Sequence, residues 1–147
     1  MVNVFTEERS LANIQKLHFI IVDDDPLVRA VLEKSFLKID FGKDIAVIVH
    51  SFQDGVEFLE SDWYDPDDKY LLLLDGIMPK MDGIEVLLRV RTDYPDRNIV
   101  VSMLSARSGE GNIIQALEKG ADDYMLKPFN VPEVMARMER MAKRMLL

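Results

Sequence analysis

Ile20-Ile21-Val22-Asp23-Asp24-Asp25 and Leu71-Leu72-Leu73-Leu74-Asp75 decide how this chain folds. In each stretch an apolar run ends abruptly in aspartate. Aliphatic residues without polar alternation are the pattern of strands buried on both faces. As parallel strands, the two would bring their carboxylates together at one edge of a sheet. Carboxylates about 4 Å apart repel by roughly 4 kcal/mol per pair in a protein-surface dielectric. Such a cluster persists only with something positive inside it.

Working outward, further apolar runs occupy residues 45–49, 99–104 and 124–126, and the first begins at residue 17. Amphipathic stretches separate them. Val28, Val31, Leu32, Ser35, Phe36 and Ile39 recur at helical spacing, with Asp25 as N-cap and Pro26 at the first helical position. Asp54 is placed to cap a short helix over 55–60. Ile84, Leu87, Leu88 and Arg91 share one helical face, as do Ile113, Ile114 and Leu117, and a last helix runs from about Asn130 to the end. Five repeats of strand then helix predict an α/β domain with one parallel sheet and helices on both faces. Ligands in such sheets bind beyond the carboxyl ends of the strands, where both aspartate groups fall. Residues 1–16 read as an N-terminal extension, partly helical, and 17–147 as the folded domain. The acidic stretch 61–69 reads as a solvated loop with Trp63 as its anchor.

The chain has 147 residues, 48% of them hydrophobic, and no cysteine. This is the size of one domain, with material for a core and without disulfides or thiolate metal sites. A net charge of −8 argues against nucleic-acid binding by this domain itself. No run is long enough to span a bilayer, and the opening residues lack a signal-peptide pattern. A cytoplasmic protein without membrane contact is expected.

Asp23, Asp24 and Asp75 form an all-oxygen donor set of the kind that suits Mg²⁺. A carboxylate beside such a cation can attack phosphorus to give an aspartyl-phosphate. Chemistry of this kind also needs a fixed cation and a hydroxyl donor for the phosphoryl oxygens. The fourth apolar run ends at Ser105 and the fifth at Lys127-Pro128, which supply both.

Taken together, these segments resemble a response-regulator receiver domain. Ile21-Val22-Asp23-Asp24-Asp25-Pro26 is similar to the family's opening strand. Leu74-Asp75-Gly76-Ile77-Met78-Pro79-Lys80-Met81-Asp82-Gly83 is similar to its phosphoacceptor loop. Met103-Leu104-Ser105-Ala106-Arg107 matches the switch strand, and Gly120-Ala121-Asp122-Asp123-Tyr124-Met125-Leu126-Lys127-Pro128-Phe129 the last strand and loop. The resemblance implies a flavodoxin-like doubly wound fold, with five parallel strands in the order 2-1-3-4-5. It implies a phosphorylation-dependent switch of two-component signalling rather than a classical enzyme. Asp75 would accept the phosphoryl group from a histidine-kinase or phosphotransfer-protein phosphohistidine. Asp24, Asp75 and the Ile77 backbone carbonyl would hold Mg²⁺, with Asp23 acting mostly through water, and Asp25 would only cap a helix. Ser105 and Lys127 would grip the phosphoryl group, Tyr124 would be the aromatic switch, and Lys127-Pro128 would be cis. The partners implied are a kinase and a downstream effector or attached output domain. A homodimer through the fourth helix, fifth strand and fifth helix is also among them.

Some positions depart from the common pattern. Serine stands at 105 where many members have threonine. Apolar Ile77 and basic Arg107 flank the path of an attacking water, so self-dephosphorylation is expected to be slow. His18 and His50 show no acidic or histidine partner at ligand spacing and read as structural. Val131, Met135, Met138, Ala142 and Met145 follow an a/d spacing to the chain's end. Either that helix continues into an output domain or its end packs on a partner. Two other readings compete. Asp23-x-Asp25 resembles the nucleophile motif of haloacid-dehalogenase-like phosphatases, with Asp23 as nucleophile. The acidic pair Asp122-Asp123 precedes Lys127 where that family expects it to follow. A receiver-like module that is never phosphorylated is disfavoured, because every residue the chemistry needs is present.

Overall fold

A computed structural model describes residues 14–95 and 97–146. The reading of the N-terminal extension as partly helical concerns residues that mostly lie outside these. Five strands, β1 (Gln15–Val22), β2 (Ile45–Phe52), β3 (Lys69–Asp75), β4 (Ile99–Ser105) and β5 (Asp123–Leu126), form one parallel sheet in the order β2-β1-β3-β4-β5. They alternate with helices α1 (Pro26–Phe36), α2 (Gly55–Glu60), α3 (Gly83–Asp93), α4 (Glu110–Glu118) and α5 (Val131–Leu146). The expected doubly wound α/β architecture is what forms.

The alternation of side chains along the strands explains the layers. Ile20, Val22, Leu72 and Leu74 point to one face, where they pack with Phe58 of α2, Val86, Leu87 and Val90 of α3, and Ala116 of α4. Leu17, Phe19, Ile21, Leu71 and Leu73 point to the other, against Leu32 and Phe36 of α1 and Val134, Met138 and Ala142 of α5. β1 and β3 are central and buried on both faces. β2 lies at the edge of the sheet, so all its residues are only half-buried; the expectation of full burial fails there.

Local signals set most helix starts. Asp25 Oδ1 accepts from the Leu27 N–H at 2.9 Å, and Asp54 Oδ1 from the Glu57 N–H at 2.8 Å, as the sequence predicts. Two helical faces are rotated from expectation. On α3 the buried residues are Gly83, Val86, Leu87 and Val90, while Leu88 is exposed. Arg91 is not part of an apolar face. Its guanidinium donates to the carbonyls of Gly120 and Ile99 and pairs with Asp122, tying α3 to the end of α4 and the start of β4. On α4 only Ala116 is buried, and Ile114 and Leu117 are exposed. The first helix closes at Phe36, short of Ile39. β1 begins two residues before the predicted start.

Gly83 marks the tightest contact between a helix and the functional edge. Its N–H donates to the Gly76 carbonyl at 3.1 Å, and a Cβ at this position would lie 2.2 Å from the Asp75 carbonyl oxygen. Backbone cannot yield as a flexible side chain can. Gly83→Ala is therefore expected to destabilise the fold by about 1–3 kcal/mol, although alanine is the better helix former. Urea unfolding of the variant measures this, and unchanged or raised stability would contradict the packing argument.

Candidate functional site

The carboxyl ends of β1, β3, β4 and β5 lie side by side, and the predicted site residues gather there. Asp23 follows directly on β1 and is buried. Its N–H donates to the Phe52 carbonyl at 3.1 Å, which fixes the backbone at the strand's exit. Its Oδ1 accepts from the Asp25 N–H at 2.9 Å, and its Oδ2 accepts from Lys127 Nζ at 2.8 Å. Asp75, the last residue of β3, is 4% exposed. Its Oδ1 accepts from the Ile77 N–H at 3.2 Å, and its Oδ2 lies 3.4 Å from Lys127 Nζ. One ammonium thus bridges the two buried carboxylates that the sequence leaves in need of positive charge.

Asp24 is exposed, and carboxylate oxygens of Asp23, Asp24 and Asp75 lie within 4.8 Å of one another. This hard, all-oxygen set with one side open to solvent fits Mg²⁺, which keeps several water or substrate oxygens among its ligands. Asp25, by contrast, is spent on the cap of α1. Ser105 ends β4, fully buried, and its Oγ accepts from the Arg107 N–H at 3.2 Å. A Cβ at Gly76 would sit 2.3 Å from that same Oγ, so only glycine lets the loop after Asp75 lie against Ser105. The Lys127 N–H donates to the Ser105 carbonyl at 2.9 Å, and the Lys127-Pro128 peptide is cis. Tyr124 is half-buried and its hydroxyl donates to the Arg107 carbonyl at 2.7 Å. Ile77 is 47% exposed beside Asp75.

Other contacts at the site were not foreseen. Arg29 Nη1 donates to the Asp23 carbonyl at 2.7 Å, so α1 supports the acidic edge from below. Arg107 Nη1 lies 3.7 Å from Asp82 Oδ2, and Lys80 Nζ 3.5 Å from Asp54 Oδ2. Lys80 takes a positive φ of 70°, in the loop between Asp75 and α3. These pairs join residues distant in sequence or placed by an irregular loop, so no periodic pattern announces them.

The electrostatics follow the geometry. Burial first, and then the charge of Asp23, raise the Asp75 carboxyl to about 6, although the Ile77 amide and Lys127 oppose the shift. A hydrogen bond with Asp24 also favours the protonated form. Burial alone would lower the Lys127 ammonium, but Asp23 and Asp75 carry it above its ordinary value.

With this geometry in view, the comparisons with known proteins agree among themselves. The family model "Response regulator receiver domain" matches residues 19–139. The response regulator MprA of Mycobacterium ulcerans is 38% identical over 128 residues, covering 87% of this chain and 51% of that protein. The chain spans about half the length of the curated relatives of this kind that it matches. The Francisella response regulator 1452 receiver domain superposes with a TM-score of 0.70 at 27% identity, covering 86% of this chain and 97% of that one. A Borrelia burgdorferi CheX-CheY-BeF3-Mg²⁺ complex gives 0.69 at 28% identity, over 85% of this chain and 88% of the matched chain. Nothing among the comparisons supports the haloacid-dehalogenase-like alternative.

In the presence of a chelator, Asp75 gives stability a definite pH dependence. The folded chain holds this proton up to about pH 6, whereas an unfolded aspartate releases it near 4. Between those values the folded state binds more protons, so stability falls as pH rises. Asp75→Asn removes that burden. It is expected to be more stable than the parent by about 1–3 kcal/mol at pH 7, with the gain vanishing toward about pH 4. Urea titrations across this range test it, and equal stability at neutral pH would contradict it.

Proposed function

The chain belongs to the response regulator receiver family, the signalling switches of phosphorylation-dependent two-component systems, and from that premise we propose that Asp75 is its phosphoacceptor. The observation that carries this is the Lys127 ammonium seated between the buried carboxylates of Asp23 and Asp75. An Asp75 carboxylate oxygen attacks the phosphorus of a phosphohistidine on a kinase or phosphotransfer protein. The nitrogen–phosphorus bond breaks, and the leaving imidazole takes up a proton from water. Lys127 pairs with the phosphoryl oxygens as a point charge, and the Ser105 hydroxyl donates to one of them. Asp23, Asp24, Asp75 and the Ile77 carbonyl would hold Mg²⁺. When bound, the ion supplies positive charge at the transferring phosphoryl oxygens. The Borrelia complex, described with BeF3 and Mg²⁺, supports this reading.

The same contacts suggest how the modification is transmitted. Ser105 Oγ now rests on the Arg107 amide, and the Tyr124 hydroxyl on the Arg107 carbonyl. The space between Gly76, Ser105, Arg107 and Tyr124 is only about 10 Å³, too small to admit the ring. Movement of Ser105 toward the phosphoryl group opens that space, and Tyr124 turns inward to fill it. Ile114, Leu117 and Leu126 are exposed on α4 and β5 and, with α5, offer the surface for an effector, an output domain or a second copy. No helix among the described residues is long and apolar enough to cross a membrane, and we assign the protein to the cytoplasm.

Labelling with acetyl [³²P]phosphate tests the site. The parent is expected to label with Mg²⁺ and not with chelator. Asp75→Asn should lose labelling altogether, and Asp23→Asn should retain a weakened signal. The reverse pattern would assign the nucleophile to Asp23 and sink the proposal. The lifetime of the label reports on Ile77, whose apolar side chain cannot orient an attacking water. Decay over minutes or longer is expected, and decay within seconds would exclude that role.

A further inference from the structure

A second set of titratable groups lies away from the acidic site, where loop 61–68 folds over the edge of the sheet. A cleft of about 440 Å³ opens there, lined by His18, His50, Trp63, Tyr64, Asp68 and Tyr70 among others. Contrary to the sequence reading, the two histidines have partners. His18 Nε2 lies 2.8 Å from Asp68 Oδ2, and His18 Nδ1 lies 3.0 Å from His50 Nε2. The two imidazole planes differ by 13° with centroids 5.3 Å apart. That separation is what a nitrogen-to-nitrogen hydrogen bond along the line of centroids requires. His18 also stacks on Tyr70, with centroids 4.6 Å apart.

Polar contacts join the loop to the sheet. Besides Asp68 to His18, the Asp65 N–H donates to the Tyr70 hydroxyl at 2.6 Å, the Tyr64 hydroxyl donates to Asn98 Oδ1 at 3.3 Å, and Asn98 Nδ2 donates to the Asp68 carbonyl at 2.7 Å. Trp63 fills the space beneath, packed on Phe58, Tyr64, Tyr70 and Tyr94.

The donor inventory limits how many protons this chain of groups can hold. A carboxylate only accepts, so His18 presents Nε2–H to Asp68. With both rings neutral, His18 Nδ1 is a lone pair and accepts from His50 Nε2–H. One added proton reverses that bond: it enters at His50 Nδ1 while the His50 Nε2 proton passes to His18 Nδ1. His18 Nδ1–H then donates to the bare His50 Nε2, and the contact with Asp68 becomes charge-assisted. A second added proton sets N–H against N–H, and the chain breaks.

We propose that Asp68, His18 and His50 form a two-proton latch, in which the first proton tightens loop 61–68 on the sheet and the second releases it. Asp62 and Asp65 line the same cleft from the loop. Tyr64 lines it from the loop as well, and Tyr70 faces it from β3 with its hydroxyl raised to about 12, so it stays neutral. Burial, and then the charge of His18, hold His50 below its ordinary value. Release therefore belongs below about pH 6.5.

The chain has two histidines and one tryptophan, so each step has its own reporter. Imidazole ¹⁵N correlations and Trp63 signals are followed on the full chain from about pH 8 to about pH 4.5, bracketing the ordinary imidazole value. The titration is repeated in Asp75→Asn so that its carboxylate cannot be mistaken for the latch. Both rings are expected as Nε2–H tautomers at the alkaline end, with two separate protonation steps. The Trp63 indole and the amides of 61–68 should move with the lower one. His50→Leu should abolish that response. Asp68→Asn, which keeps an acceptor for His18, should lower the proton affinity of the pair by about tenfold. Independent titration of the two rings, an unmoved loop, or a Trp63 response that survives His50→Leu would each overturn the latch. Unchanged midpoints in Asp68→Asn would do the same.

Discussion

Two carboxylates buried on neighbouring parallel strands are the constraint around which this domain is arranged. Asp23 and Asp75 are each almost wholly inaccessible, and both reach the same ammonium, Lys127 Nζ, at 2.8 and 3.4 Å. Without a cation the pair would repel by several kcal/mol at protein-surface dielectric. Lys127 arrives from the end of β5, at the edge of the sheet, just before the cis peptide to Pro128. The charge requirement at the centre thus fixes where the last strand must end. The raised Asp75 shows that one ammonium offsets the cost incompletely. The residual negative charge is what a divalent cation would offset, as the proposed phosphoryl transfer requires.

The surrounding packing keeps this charge balance rigid while leaving one element free to respond. Gly83 and Gly76 permit backbone contacts that any side chain would forbid, so the loop after Asp75 is pressed between α3 and Ser105. Arg29 holds the Asp23 backbone from α1. The side chains of Ser105 and Tyr124 are tied more lightly, each bonded to the Arg107 backbone. Strong contacts at the charges and single side-chain bonds at Ser105 and Tyr124 agree with the proposed switching of these two residues.

Much of this was legible along the chain because the signals are local. Apolar runs without alternation mark β1, β3 and β4, and Asp25 and Asp54 mark helix starts through bonds only two or three residues long. The site was legible because a parallel sheet delivers all strand ends to one edge, so Asp75, Ser105 and Lys127 meet whatever the loops between them do. Where the reading failed, distant partners decided. Arg91 sits at helical spacing with Leu87 and Leu88, yet the carbonyls of Ile99 and Gly120 claim its guanidinium. Ile114 and Leu117 repeat like a buried face, but α4 turns Ala116 inward instead. β2 has the composition of a central strand and half the burial, because strand order places it at an edge.

The amino-acid sequence by itself determined the sheet, the family and the acidic strand ends on which the proposed phosphoryl chemistry rests, since each depends on spacing within a strand, a turn or a motif. Tertiary structure alone decided which cation faces which carboxylate and how far Asp75 is raised. It also brought His18, His50 and Asp68 into one hydrogen-bonded chain across gaps of 32 and 50 residues. The physical reason is range. Periodicity and capping act over a few residues, whereas Coulomb energy, burial and imidazole hydrogen bonding depend on distances that exist only once the chain has closed on itself.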